Sequence, residues 1–242
     1  MHSSITSIPV NQVVELLKLE ATAINQAAER LQIEELEKAF NLLINCQGKV
    51  VLTGVGNSGI VAKKIAATLC SIGNVAEYLH PCDALHGDLG IITDLDVVIL
   101  LSNSGETQEL IEIVPHLKHR QVPIIGILGN LGSTLAYRVD VVLDASVDRE
   151  ACPLNLAPTT STTVALAIGD AVAMTLMQMR SITPQDFALN HPAGRLGKRL
   201  TLRVVDLMHQ GHDNPVIIPQ ASWIEIVSAI TKGGLGDRKS VV

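Results

Sequence analysis

The 242-residue chain holds only five aromatic residues: one Trp, two Tyr and two Phe. That scarcity excludes a surface on which nucleic-acid bases could stack, and it leaves the core to Ile, Val, Leu and Ala. Positive charge is also short. With 18 Lys and Arg against 24 Asp and Glu the net charge is -6, so no basic field exists to attract DNA, RNA or an anionic membrane. Cys46, Cys70, Cys82 and Cys152 never occur as a CxxC pair, and in a chain of this size they are expected to be reduced rather than bridged. The opening MHSSITSIPVNQVVELL has no positive leader and no continuous apolar stretch, and no uninterrupted apolar run of about 18 residues follows it. The expectation is a cytoplasmic protein with no nucleic-acid or membrane partner.

What the chain does have is 47% hydrophobic residues, enough for the full core of one α/β domain. Apolar residues at helical spacing predict a lead-in pair of helices over 13–31 and 34–44. Strand-like runs at 49–54, 75–79, 96–102, 124–128 and 141–145 then alternate with helical stretches over 58–71, after the third strand to about 119, and over 161–179. This alternation predicts βαβ units and a doubly wound, five-stranded parallel sheet flanked by helices.

In such sheets ligands bind beyond the carboxyl ends of the strands, where loops enter helix N-termini. The first candidate loop is GVGNSG (54–59), in which Gly54, Gly56 and Gly59 permit close backbone approach, with Asn57 and the Ser58 hydroxyl beside them. A dinucleotide reading of this motif needs an acidic residue at the end of the next strand, and Glu77 falls inside the run VAEYL instead. The second loop, SNSGETQE (102–109), carries hydroxyls at Ser102, Ser104 and Thr107, with Asn103 between them and Gly105 allowing a positive φ. It leads into a helix whose first N–H groups have no intrahelical partners, and that helix end holds a phosphate without any net positive charge on the protein. The competing reading is that Ser104 only caps the helix. His80, Cys82 and His86 could be drawn as a metal triad, but neither their spacing nor a fourth ligand supports one, so neither a metal nor a cofactor is expected.

Taken in order, GVGNSG, HGDLGII (86–92), LLSNSGETQE, EACPLNLAPTTSTT (150–163) and DFALNHPAGRLGKRL (186–200) resemble the D-arabinose 5-phosphate isomerase family, whose catalytic half is a sugar-isomerase (SIS) domain. SNSGET alone points only to the wider superfamily, which includes non-enzymatic sugar-phosphate sensors. The other blocks are far more specific to the isomerases. The resemblance implies interconversion of D-ribulose 5-phosphate and D-arabinose 5-phosphate, the entry to the eight-carbon acid sugar of lipopolysaccharide or capsules. It implies phosphate contacts from Ser58, Ser102, Asn103, Ser104 and Thr107, further substrate contacts from Gly56 and Asn57, and active-site roles for His86, Glu109, Glu150 and His191. An aldose–ketose isomerisation of this kind passes through an enediol and needs a base next to the carbonyl, for which Glu150 is the first candidate.

One position departs from the family pattern: Asn57 stands where the resemblance predicts a lysine, and it supplies no charge to a phosphate or an enediolate. Lys63 and Lys64 lie further down the same helix and are poorly placed to replace it. A non-catalytic sugar-phosphate-binding regulator is therefore the alternative reading. The chain divides by this reading into an N-terminal helical lead-in (1–47), a SIS domain (48–202) and a segment (203–242) resembling the start of a CBS module, too short to close that fold. Apolar helices in excess of what one sheet can cover predict a homo-oligomer, with a tetramer first, in which His86 or His191 reaches the pocket of an adjacent subunit.

Overall fold

A computed structural model describes residues 10–192, 197–199, 203–208, 216–233 and 239–240. Two helices open the chain, α1 (Val10–Arg30) and α2 (Ile33–Ile44). They are followed by β1 (Val50–Thr53), α3 (Gly56–Ser71), β2 (Ala76–Tyr78), a short α4 (Pro81–Leu85), a 3₁₀ turn (Asp88–Ile91) and β3 (Val97–Ser102). Next come α5 (Gln108–His119), β4 (Ile124–Leu128), β5 (Val141–Asp144), α6 (Thr160–Met179) and α7 (Pro184–Leu189). The five strands form one parallel sheet in the order β2-β1-β3-β4-β5, the doubly wound arrangement that the alternation predicts.

Strands β1, β3 and β4 are buried on both faces, which is why they read as unbroken apolar runs. Alternate side chains feed two cores. Val50, Leu52, Ile99, Leu101 and Ile127 meet α1, α2, α3 and α6, whereas Val51, Val98, Leu100 and Leu128 meet α4 and α5. Helix α6 is long and apolar enough to cross a membrane by composition alone. It serves as a core helix instead, burying Val164, Ile168, Val172 and Leu176 in the same core as α1 and α3.

Both edges of the sheet are guarded. Strand β2 is only three residues long, and at the other edge the Val142 N–H of β5 donates to the Glu35 carboxylate of α2 at 3.1 Å. At the amino end of the sheet the Asp96 carboxylate, 2% exposed, accepts from the N–H groups of Thr93 and Lys49 and from Lys49 Nζ at 3.1 Å.

The chain falls into two compact units, Met1–His191 and Pro192–Val242. Among the described residues of the second, Val216–Ile217 and Lys239–Ser240 pair in parallel, with helix Trp223–Gly233 between them in sequence. Most of the block 186–200 beyond His191 lies outside the described residues.

Candidate active site

The start of α3, the carboxyl ends of β3, β4 and β5 and the start of α6 enclose a small cleft. Ser58, Ser102, Asn103, Gly129, Ser161 and Thr162 supply its polar lining, and Val61, Leu101, Ile127 and Ala165 close its floor. No lysine or arginine lines it among the described residues. Any anion held there meets neutral hydroxyls and backbone N–H groups.

The SNSGET loop shows how those donors are kept available. Ser102, 3% exposed, accepts the Gly105 N–H at 3.0 Å and lies 2.9 Å from the Thr107 hydroxyl. Thr107 is the N-cap residue of α5, yet its side chain makes no capping bond to that helix, so the helix starts without a side-chain cap. Ser104 accepts the Glu106 N–H at 3.2 Å, a local turn rather than a cap of α5. Glu106 in turn accepts the Thr134 N–H at 2.7 Å, tying the loop to the turn after β4. Gly105 sits at φ +65°, and a Cβ there would run into Ser133, so this position requires glycine on both conformational and steric grounds. Helix α3 begins in the same way: its N-cap is Val55, which can offer no capping oxygen, and Gly56, Asn57 and Ser58 form its first turn. The start of α3 reaches the cleft through Ser58, and the SNSGET loop reaches it through Ser102 and Asn103.

Glu150 reaches the same place through α6. Its carboxylate accepts from the Thr159 N–H at 2.8 Å, the Thr159 hydroxyl at 3.1 Å, the Ser161 N–H at 3.2 Å and the Ser161 hydroxyl. Partial burial pushes this carboxyl up, but the Ser161 hydroxyl and the backbone donors outweigh it and hold the group below the usual carboxylate range. Thr159 and Ser161 escaped the sequence reading as individual residues. The available signal was the hydroxyl run TTSTT at the head of an otherwise apolar helix.

The remaining candidates do not line this cleft. Glu109 occupies the first turn of α5, half-buried, and His86 is the exposed C-cap residue of α4, which packs on the same side of the sheet as α5. His80 accepts the Cys82 N–H on Nδ1 at 3.2 Å, and among the described residues no group of three or more His, Cys, Asp or Glu could hold a metal. His191 stacks on Phe187 with ring centroids 4.1 Å apart, and the adjacent Asn190 donates to the Ser71 carbonyl at the C-terminal end of α3. Ser58 is at the opposite end of that helix, and at about 1.5 Å of rise per residue the separation is roughly 20 Å. Within one chain His191 and the phosphate loop do not meet. Lys64 is paired with Asp170 of α6, and Lys63 lies over the Tyr78 ring, 4.8 Å from its centroid.

The five-stranded parallel sheet lies within residues 43–175, which match the model of the SIS domain family. Over 234 residues the chain is 44% identical to the arabinose 5-phosphate isomerase KpsF of Escherichia coli O6:H1, covering 97% of this chain and 71% of that one. Over 227 residues it is 45% identical to the arabinose 5-phosphate isomerase KdsD of Pseudomonas aeruginosa, covering 94% and 69%. A solved structure of an E. coli CFT073 protein in complex with arabinose 5-phosphate superposes with a TM-score of 0.72 at 40% identity, covering 76% of this chain and 97% of that one. The chain belongs to the arabinose 5-phosphate isomerase family.

Proposed function

We propose that the protein is an aldose–ketose isomerase that interconverts D-ribulose 5-phosphate and D-arabinose 5-phosphate through an enediol. The observation that carries this reading is the junction at Ser161: one residue lines the phosphate-type cleft and also bonds the Glu150 carboxylate. A site that only sensed sugar phosphate needs the hydroxyls and N–H groups but no carboxylate held beside them. In the reaction Ser58, Ser102, Ser104 and Thr107 hold the phosphate, Glu150 moves the proton between C1 and C2, and Glu109 lies within the first turn of the phosphate-binding helix. Fixing the phosphate end places the reacting carbons, which converts binding energy into orientation.

His191 supports an oligomeric site. It is held at the far end of α3, so a role for it requires a neighbour's cleft, and the exposed Val13, Val14, Leu17 and Met174 on α1 and α6 offer apolar surface for assembly. A homotetramer fits this arrangement, and we place the protein in the cytoplasm. The division into lead-in, SIS domain and CBS-like segment is likewise our reading. The parallel strand–helix–strand order of the second unit accords with a CBS beginning.

One observation favours the regulator alternative: among the described residues the cleft lining is neutral and offers no cation, and Lys64 is tied to Asp170. A coupled assay that follows arabinose 5-phosphate formation from ribulose 5-phosphate, with purified protein and no added metal, separates the two. Turnover supports the isomerase. Saturable protection by either sugar phosphate without turnover supports the regulator and overturns the proposal.

A further inference from the structure

We infer that Ser161 is a positioning residue for Glu150, holding one carboxylate oxygen in place so that its remaining lone pair is presented to the substrate carbons. This rests on the isomerase reading above. Ser161 is 4% exposed, lies in the first turn of α6, and lines the cleft beside Ser102 and Ser58. Its hydroxyl bonds Glu150 Oε1, while its N–H and both the N–H and hydroxyl of Thr159 converge on Oε2. The chain between Glu150 and Thr159 is closed by further bonds: Ala151 N–H donates to the Thr159 hydroxyl at 2.8 Å, and Glu150 N–H donates to Asn155 Oδ1 at 2.7 Å. A side chain with several rotatable bonds is thus fixed at both oxygens.

The two oxygens are not equivalent. Oε2 takes three donors, whereas Oε1 takes only the Ser161 hydroxyl among the described residues and keeps a second lone pair for a proton. The Ser161 bond therefore sets where that remaining lone pair of Oε1 points. It also trades basicity for orientation, because each donor to the carboxylate favours its charged form. No other charge competes for this carboxylate among the described residues. Asp148 of the same loop meets Gln26 of α1, Glu20 of α1 meets Thr163, and Arg149 lines a separate depression with Glu15 and Lys18.

The test is Ser161→Ala, which removes the Oε1 bond and leaves the backbone bond intact. The expected result is a fall in kcat of about tenfold, KM within about threefold, and an acid limb of the kcat/KM profile moved to higher pH, since losing a donor raises the Glu150 pKa. Ser161→Thr keeps a hydroxyl and should restore both kcat and the limb. In a Glu150→Gln background Ser161→Ala should cost nothing further in kcat, because the group it positions is gone. If Ser161→Ala fails to fold, Thr159→Val removes the hydroxyl bond to Oε2 and should move the limb in the same direction. A raised KM with an unmoved limb would show that Ser161 only contacts the phosphate, and a lowered melting temperature with unchanged kcat and limb would show a purely structural bond. Either result overturns the inference. Full activity in Glu150→Gln itself is a different failure, since it removes Glu150 as the base.

Discussion

Replacing Gly105 by alanine tests the phosphate loop at its most constrained point. Two costs add. A non-glycine residue at φ +65° costs about 1–2 kcal/mol. A Cβ there is also driven into the side chain of Ser133, and overpacking of this kind costs about 1–3 kcal/mol. Ser133 cannot swing away cheaply, because it is fully buried, donates to the Asn130 carbonyl at 2.6 Å and accepts the Ala136 N–H at 3.4 Å. The sum is about 2–5 kcal/mol, which for a domain of this size lowers Tm by roughly 4–20 °C. Binding suffers as well, since Gly105 N–H anchors the Ser102 hydroxyl that turns Thr107 away from its helix. The assay is a melting curve with and without ribulose 5-phosphate: Gly105→Ala should melt early and lose most of the ligand-induced shift. Adding Ser133→Gly should recover the steric share and leave the conformational one. A Gly105→Ala protein that melts within about 2 °C of the parent (the shift expected from about 0.5–1 kcal/mol) and keeps its ligand shift would refute the argument.

Other outcomes follow from the same geometry. If Ser104 holds the phosphate as proposed, Ser104→Ala should raise KM with kcat nearly unchanged, because such a contact is equal in ground and transition states; an unchanged KM in steady-state kinetics would remove Ser104 from the phosphate site. If His191 reaches a neighbour's cleft as proposed, mixing His191→Ala with Glu150→Gln subunits should restore activity that neither variant has alone, since a mixed assembly then contains sites with both residues intact; no recovery would show that the two residues do not meet across a subunit boundary. Asn57→Lys should raise kcat/KM by adding the charge the cleft lacks, and a loss of activity would show the pocket built around the amide. Burial pushes the Asp96 carboxyl up, but the donors from Thr93 and Lys49 hold it below its unfolded value, so its stabilisation is present at neutral pH and is lost as pH falls through the folded pKa. Asp96→Asn should therefore be less stable than the parent by about 3 kcal/mol near pH 7, with the gap closing towards acid in urea titrations.

The sheet was legible because strands buried on both faces must be apolar throughout, and LLSNSGETQE stands out where such a run gives way to hydroxyls at a helix start. The short elements were not. Helix α4 over PCDAL is only five residues long and depends on His80 accepting the Cys82 N–H, a bond that composition does not announce. Helix α7 is different: Thr183, Pro184 and Asp186 form a capping box with proline at the first turn, a local signal that was present in TPQD. The grip of Thr159 and Ser161 on Glu150 was invisible because it closes a loop of about ten residues, and closure across a loop is decided by the packing of α6, not by spacing. The distance between His191 and the phosphate loop depends on where α7 docks on α3, which no periodicity encodes.

The guarded edges of the sheet limit how copies of this chain can join. A stub of three residues at β2 offers little ladder to copy, and at β5 the Val142 N–H that a foreign strand would have to take is already given to Glu35. Growth by strand addition is closed at both ends. In the assembly proposed above, subunits would then meet by surfaces other than the ends of this sheet, and a substitution at Glu35 frees a backbone donor and invites disordered aggregation in place of a defined assembly.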